Sequence, residues 1–331
     1  MSNTKQYIST APFLKDADTT PDIMFTVVYT LIPVIAISFF FFGLSAILIT
    51  ATAIFSCMLT EWFFNKDKPV TSSLKDGSAL ITGILLALTL PPGFPLWMVF
   101  LGGVVAIGMG KMIWGGLGQN VFNPALLGRA FLQAAFPTAI TTWSPPDGRF
   151  FCLRGTNLAF PFYQGENIDA VSTATPLSKM KFDHEFESTL NLLFGNTGGS
   201  LGETCGILLI LAGAFLLYKG IINWRIVASI VLTVSVFSGV FYIIDPTIYP
   251  SPVFMLLSGG MLLGTVYMAT DLVTSPLTPK GCWIFGIGIG LLVVLIRLWG
   301  GLPEGMMYAI LLMNAATPLI NRFAKNRTYG H

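Results

Sequence analysis

Ile23-Met24-Phe25-Thr26-Val27-Val28-Tyr29-Thr30-Leu31-Ile32-Pro33-Val34-Ile35-Ala36-Ile37-Ser38-Phe39-Phe40-Phe41-Phe42-Gly43 is a run of 21 residues without a charge. As an α-helix it is about 30 Å long, which matches the hydrocarbon thickness of a bilayer. Leu44–Phe64 follows at once and is equally long, with Glu61 as its single charge. The composition agrees with these two segments. Of 331 residues 53% are hydrophobic and 10% charged, and the mean hydropathy is +0.73. Soluble domains carry about 25% charged residues. So much apolar surface cannot face water, and the chain reads as an integral membrane protein.

Further apolar segments follow. Ala79–Leu90 is short, at roughly 18 Å of helix. Leu96–Met112 and Val121–Phe136 complete a first half. A polar stretch, 137–202, precedes Glu203–Tyr218, Trp224–Ile244, Val253–Ala269, Trp283–Trp299 and Met306–Ile320. The expected fold is an all-α polytopic membrane protein with about ten transmembrane helices and one long outer loop. Its divisions are a cytoplasmic N-terminal segment (1–22), a first membrane half (23–136), the outer loop (137–202), a second membrane half (203–321) and a cytoplasmic tail (322–331). The start, Met1-Ser2-Asn3-Thr4-Lys5, leads to no apolar stretch before Ile23, so no cleaved signal peptide is expected.

Basic residues set the orientation. With the N-terminus inside, Lys5, Lys15, Lys66, Lys68, Lys75, Lys111, Lys219, Arg225, Lys280, Arg322, Lys325 and Arg327 fall on the cytoplasmic side, twelve of the 18 Lys and Arg. The turns around Pro91-Pro92-Gly93, 245–252 and 300–304 have none. This asymmetry predicts both termini in the cytoplasm and 137–202 outside. The two halves also share a short likeness. Gly83-Ile84-Leu85-Leu86-Ala87-Leu88 matches Gly206-Ile207-Leu208-Leu209-Ile210-Leu211 at five of six positions, and a Gly-Ser pair precedes each. Five spans followed by five make two inverted repeats, an arrangement that places binding sites near the midplane. Glycine- and leucine-rich helices also match by chance.

Net charge is +2 and no basic run points to nucleic acid. Cys57, Cys152, Cys205 and Cys282 form no CxxC pair, and three lie in apolar segments. No iron–sulfur or zinc centre is expected from this chain alone, and no metal ligands are assigned. A cysteine shared with another subunit stays open.

Polar motifs interrupt the apolar runs. They are Ser73–Ala79, Gly115–Arg129 (which contains Gly118-Gln119-Asn120-Val121-Phe122-Asn123-Pro124), Gly198–Glu203 and Met268–Pro276. Irregular backbone at membrane depth survives only where protein or a cavity lines it. Arg129 lies about one turn into an apolar helix, where facing lipid costs several kcal/mol. It is expected to face inward and to pair with an acid or a phosphate, or to tie down the long loop or Glu203. Asp76, Glu203 and Asp271 sit at helix ends. As caps they need no further role. As intramembrane carboxylates they form a candidate pathway for a cation or proton.

The long loop contains Asp169-Ala170-Val171-Ser172-Thr173-Ala174-Thr175. Bulky nucleotides reach a hydroxyl only among small neighbours, and Ala170, Ser172, Thr173 and Ala174 are small. Pro176 holds the preceding residue extended. The run resembles the signal at which flavin transferases join FMN to a threonine through a phosphoester. On that resemblance Thr175 is the acceptor, and Asp169 offers a ligand for the metal of the donor nucleotide. An ordinary Ser/Thr-rich loop has similar composition.

Taken together, Asp76-Gly77-Ser78-Ala79, Gly118-Gln119-Asn120-x-Phe122-Asn123-Pro124-Ala125, Ser172-Thr173-Ala174-Thr175-Pro176, Gly198-Gly199-Ser200-x-Gly202-Glu203 and Met268-Ala269-Thr270-Asp271-x-Val273-Thr274-Ser275-Pro276 occur in this order. The set resembles the NqrB/RnfD family from Pro12 to Asn321. That family joins the D component of the Rnf electron-transport complex and the related B component of the sodium-pumping NADH:quinone reductase. The N-terminal segment of about 22 residues, with Ser9-Thr10-Ala11-Pro12-Phe13, is similar to the Rnf type. Thr173 departs from the glycine that the family often has there.

The resemblance implies a fold like that of urea transporters, covalent FMN on Thr175, and a second, noncovalent flavin (riboflavin or FMN). Asn120 and Asn123 are the local candidates for the second. It also implies a role in relaying electrons between ferredoxin and NAD in an ion-translocating (Na+ or H+) complex of the bacterial or archaeal cytoplasmic membrane. Partners implied are two small membrane subunits, an outer flavin subunit, an iron–sulfur subunit, a nucleotide-binding subunit and the flavin transferase. The alternatives are the quinone-reductase subunit, a urea-transporter-like solute channel, and a structural anchor for redox partners. No GxGxxG fingerprint follows a strand, so no complete reaction is expected of this chain as an enzyme.

Overall fold

A computed structural model describes residues 19–66, 76–146, 150–151, 153–161, 173–183, 185–203 and 205–324. Among them the secondary structure is helical, with no strand. Four helices are long and apolar enough to cross a membrane: α1 (Thr20–Phe42), α2 (Leu44–Phe64), α10 (Trp224–Ile244) and α13 (Pro279–Trp299). The chain is therefore a multi-pass membrane protein. Thr19 opens α1 in a capping box with Asp22. Gly43, at φ 66°, ends α1 and lets α2 start one residue later.

The shorter helices fill the space between the long ones. They are α3 (Ser78–Leu88), α4 (Leu96–Ile107, continued by a π-helical turn at Gly108–Met112), α5 (Pro124–Ala135), α9 (Gly206–Tyr218), α11 (Pro252–Leu257), α12 (Met261–Leu263, with a π turn at Gly264–Met268) and α14 (Met306–Phe323). α2 packs on α3 and α4, and α4 on α5; α10 packs on α13, and α13 on α14. α1 meets α9, and α5 meets α14, so the two groups interlock. Small residues permit the close crossings. A Cβ on Gly83 would lie 2.7 Å from the Ile54 Cα, and one on Gly128 would lie 2.8 Å from the Gly102 carbonyl oxygen.

α3 is as short as the sequence predicts, and protein buries it along nearly its whole length. Its last carbonyls need partners away from water. Leu201 and Gly202 supply them: their amides donate to the carbonyls of Leu90 (3.1 Å) and Leu88 (2.7 Å). Any side chain at Gly202 would collide with Leu88, which accounts for the glycine.

The segment read as the continuous span Val253–Ala269 is broken. α11 ends at Leu257, Gly259 takes φ 62°, and α12 restarts at Met261. The stretch 137–202 contains short helices: α6 (Pro137–Ile140), α7 (Pro176–Ser178, running into a π turn at Lys179–Asp183) and α8 (Thr189–Phe194). It is laced to one end of the bundle. Arg154 donates to the carbonyls of Phe42 (3.0 Å), Phe41 (3.1 Å) and Pro145. Asn157 donates to those of Pro92 and Phe94, both at 3.0 Å. Lys181 donates to the carbonyls of Gly300 and Leu302. Burial holds the Lys181 ammonium pKa below the usual lysine range.

Candidate functional site

The structure sorts the sequence-predicted residues into two cavities at opposite ends of the bundle, with a charged node between them. The loop-side cavity has a volume of about 580 Å³. Its wall includes Thr173, Ala174 and Thr175 from the loop, Arg129 and Gln133 from α5, and Trp143, Phe182 and Glu304. Asp169 and Ser172 lie outside the described residues. Thr175 has extended backbone because Pro176 follows it, and its hydroxyl caps α7, accepting from the Ser178 amide at 3.2 Å. The residue is only 3% exposed, so its hydroxyl reaches the cavity from within the wall.

Two sequence motifs meet beside it. Gly198 leaves room for the Thr173 hydroxyl, which a Cβ would approach to 2.5 Å. Gly199 does the same for the Glu203 carboxylate, again at 2.5 Å. Thr173 also donates its amide to the Trp143 carbonyl at 2.9 Å, which fixes the loop against the cavity.

Arg129 faces inward as expected. Its partner is Glu304, which accepts a short hydrogen bond from Nη2. Glu203 lies next to that pair, with its carboxyl group in hydrogen-bonding reach of Glu304's. Arg297, almost fully buried at the end of α13, donates to the carbonyls of Met255 (2.5 Å) and Ser258 (2.9 Å). A cavity of about 20 Å³ lies among Arg129, Ser200, Arg297 and Glu304. Sequence reading missed Glu304, which sits in a turn and resembles a solvated loop charge. It also missed Arg297, which lies in the last turn of α13.

The far cavity collects Asn120, Asn123, Thr270 and Asp271, with Ile81, Leu85 and Val266 as apolar walls. Its volume is about 110 Å³. Asn123 caps α5 through the amides of Ala125 (3.1 Å) and Leu126 (3.3 Å), while its own amide donates to the Met268 carbonyl at 3.4 Å. Asp271 accepts from the Thr274 hydroxyl at 3.2 Å. Asp76 caps α3, accepting from the Ser78 amide (2.9 Å) and hydroxyl (2.8 Å).

Ser78 leads to a feature absent from the sequence reading. Lys111 donates to Glu61 Oε1 at 2.7 Å and to the Ser78 hydroxyl at 2.5 Å. Both charged side chains are buried, at 3% and 2% exposure. Lys111 lies in the π turn that continues α4, and π turns gather at functional sites. Ser78 and Lys111 both line the far cavity. Among the described residues no group of acids, histidines and cysteines is disposed to hold a metal, and Cys57, Cys205 and Cys282 are buried thiols. Cys152 lies outside the described residues.

Comparison with known proteins adds a family. A profile of the NQR2, RnfD, RnfE family matches residues 7–330. The chain is 40% identical to the D component of the proton-translocating ferredoxin:NAD(+) oxidoreductase complex of Clostridium ljungdahlii, over 98% of this chain and 96% of that one. It is 40% identical to the D component of the Na(+)-translocating ferredoxin:NAD(+) oxidoreductase complex of Acetobacterium woodii, over 98% and 95%. It is 41% identical to the D component of the ion-translocating oxidoreductase complex of Stutzerimonas stutzeri, over 93% and 91%.

Proposed function

The chain belongs to the NQR2, RnfD, RnfE family, and from that membership we propose that it is the flavin-carrying membrane subunit of an ion-translocating ferredoxin:NAD oxidoreductase complex. It relays electrons inside the assembly and completes no reaction alone. The observation that carries the flavin reading is the loop-side cavity. About 580 Å³ falls within the size range of ligand sites, and Thr175 is in its wall.

The residues present fit an FMN held through its phosphate at Thr175. Trp143 and Phe182 offer aromatic faces, Gln133 and Thr141 offer polar partners, and Arg129 offers a cation near the phosphate. A bound flavin supplies one- and two-electron transfer. The protein supplies position and shelter from water.

A second, noncovalent flavin belongs in the far cavity. Asn120, Asn123 and Asp271 give its polar edge, and Leu85 and Val266 its apolar faces. At about 110 Å³ the cavity as it stands is smaller than typical ligand pockets, so a flavin fits there only with its wall opened. Denaturing the purified complex is expected to release riboflavin or FMN. Leu85→Trp, which fills the cavity from its apolar wall, is expected to remove most of that flavin while leaving the covalent one. No released flavin from the unaltered complex would sink this second site.

The orientation follows the basic residues, with both termini in the cytoplasm and the loop outside. Supporting it, the loop is bound to the end of α1 and to the turns at 91–94 and 300–302, the ends that the charge asymmetry assigns to the outside. A cysteine introduced as Gly165→Cys is expected to react with a membrane-impermeant reagent on intact cells. Reaction only after the membrane is opened would reverse the topology.

Ten spans in two inverted halves are supported by the contact pattern. α2 against α4 in the first half has its counterpart in α10 against α13, and short α3 in broken α11–α12. The matching hexapeptides beginning at Gly83 and Gly206 pair the third segment with the sixth, which a five-and-five repeat does not do. The partners are those of the complex: two small membrane subunits, an outer flavin subunit, an iron–sulfur subunit and a nucleotide-binding subunit. Relatives named for protons and for Na+ are equally identical to this chain, so overall identity does not set the coupling ion.

A further inference from the structure

The node between the cavities has more polar atoms than partners. Arg129 Nε, Arg297 Nε, Glu203 Oε1, Glu304 Oε1 and Ser258 Oγ are all sealed from solvent without a hydrogen bond. A buried polar atom without a partner destabilises the fold, so the node is built to take up a further donor. Two of these atoms belong to carboxyl groups that meet within hydrogen-bonding reach. An ionised carboxylate only accepts, so two ionised groups in contact repel each other and form no bond. A proton on one of them turns the contact into a hydrogen bond.

The surrounding charges fit one proton. From α5, Arg129 pairs with Glu304 through Oε2 and leaves Oε1 free. From α13, Arg297 spends both terminal nitrogens on backbone carbonyls. Tyr308 of α14 lies near Arg129, and Lys181 of the loop is bound to the carbonyls of Ile296, Gly300 and Leu302. Among the described residues Glu203 has no Lys or Arg in ion-pair contact, so it is the member of the pair without a cation of its own. The cavity of about 20 Å³ behind the pair has room for one water, and Ser200, Arg297 and Glu304 in its wall give that water several partners.

We propose that Glu203 and Glu304 hold one proton between their carboxyl groups, and that the water-sized cavity behind them completes a proton-binding site on the floor of the loop-side cavity. Binding adds a proton, delivered from water in the loop-side cavity, to a carboxylate oxygen. Release returns it to that water, and no electron moves. With both acids ionised, the two arginines and two glutamates sum to zero; with the shared proton the node carries one positive charge. Arg129 and Glu304 line both cavities, so a negative charge arriving in the loop-side cavity and a proton held at the node stabilise each other.

The test is infrared difference spectroscopy on the purified whole complex near neutral pH, comparing unaltered protein with Glu203→Gln and Glu304→Gln. The unaltered complex is expected to show a protonated-carboxyl C=O band that shifts in D2O. Each single variant should lose that intensity, because a Gln amide donates to the remaining carboxylate and leaves it ionised. Glu203→Asp, which withdraws the carboxyl by one methylene and keeps the charge, should lose it too and covers the case in which a Gln variant fails to assemble. Absence of the band from the unaltered complex overturns the proposal. So does its persistence in both Gln variants, or its loss in only one, since a proton resident on a single residue is not shared.

Discussion

Thr175→Ala is expected to leave the subunit with no covalent flavin: the mass of one FMN disappears from the intact-mass spectrum, and in-gel fluorescence of the denatured chain falls to background. The change is all-or-none because the phosphoester needs an oxygen on that side chain. The structure adds a control that the sequence did not suggest. The Thr175 hydroxyl also caps α7, and removing such a cap costs about 1 kcal/mol. Alanine therefore removes acceptor and cap together. Asparagine caps at least as well as threonine but offers no hydroxyl. Thr175→Asn should consequently fold and assemble like the unaltered chain and still lack the adduct. Thr175→Ser keeps both functions and should keep some flavin. An unmodified mass in unaltered, fully active protein co-expressed with its transferase would remove the basis of this reading.

The residues legible in the sequence were those whose chemistry was out of place. An arginine one turn into an apolar helix, amides flanked by glycine and proline, and a run of small hydroxyl residues all stand out against lipid-facing leucines. The structure gathers them as Arg129 and Thr175 around one cavity and Asn120, Asn123 and Asp271 around another. Charges that had an innocent explanation stayed hidden. Glu304 lies in a turn rich in glycine with Pro303 before it, and Glu61 lies directly before the aromatic end of a span, so neither stands out as an inward charge. Lys111 counted toward the cytoplasmic basic set. The π turn at Gly108–Met112 accompanies its inward placement, and one extra residue per turn leaves no trace in a 3.6-residue pattern. The break in the eighth segment did have a signal, Ser258-Gly259-Gly260, but the apolar residues on both sides outweighed it.

Glu61 and Lys111 carry the second large expected effect, on stability. Their pair is the most buried ion pair among the described residues, and it ties the end of α2 to the π turn of α4 and, through Ser78, to the start of α3. Removing one partner of a buried pair strands the other charge, at a cost of about 3–5 kcal/mol. That is a large share of the roughly 5–15 kcal/mol by which a folded domain is stable. Glu61→Leu and Lys111→Met are each expected to lower the yield and the melting temperature of the detergent-purified complex sharply. The double variant should recover most of the loss, because replacing both charges with apolar groups of similar volume is often neutral or stabilising. Thermal unfolding followed by size-exclusion chromatography on all four proteins measures the coupling between the two positions. Single variants that melt with the unaltered complex would show that the pair braces nothing. Ser78 and Lys111 also form part of the far cavity wall, so the double variant carries a second readout. A complex that is stable yet releases less noncovalent flavin would separate the pair's bracing of three helices from the contribution of Lys111 to the cavity.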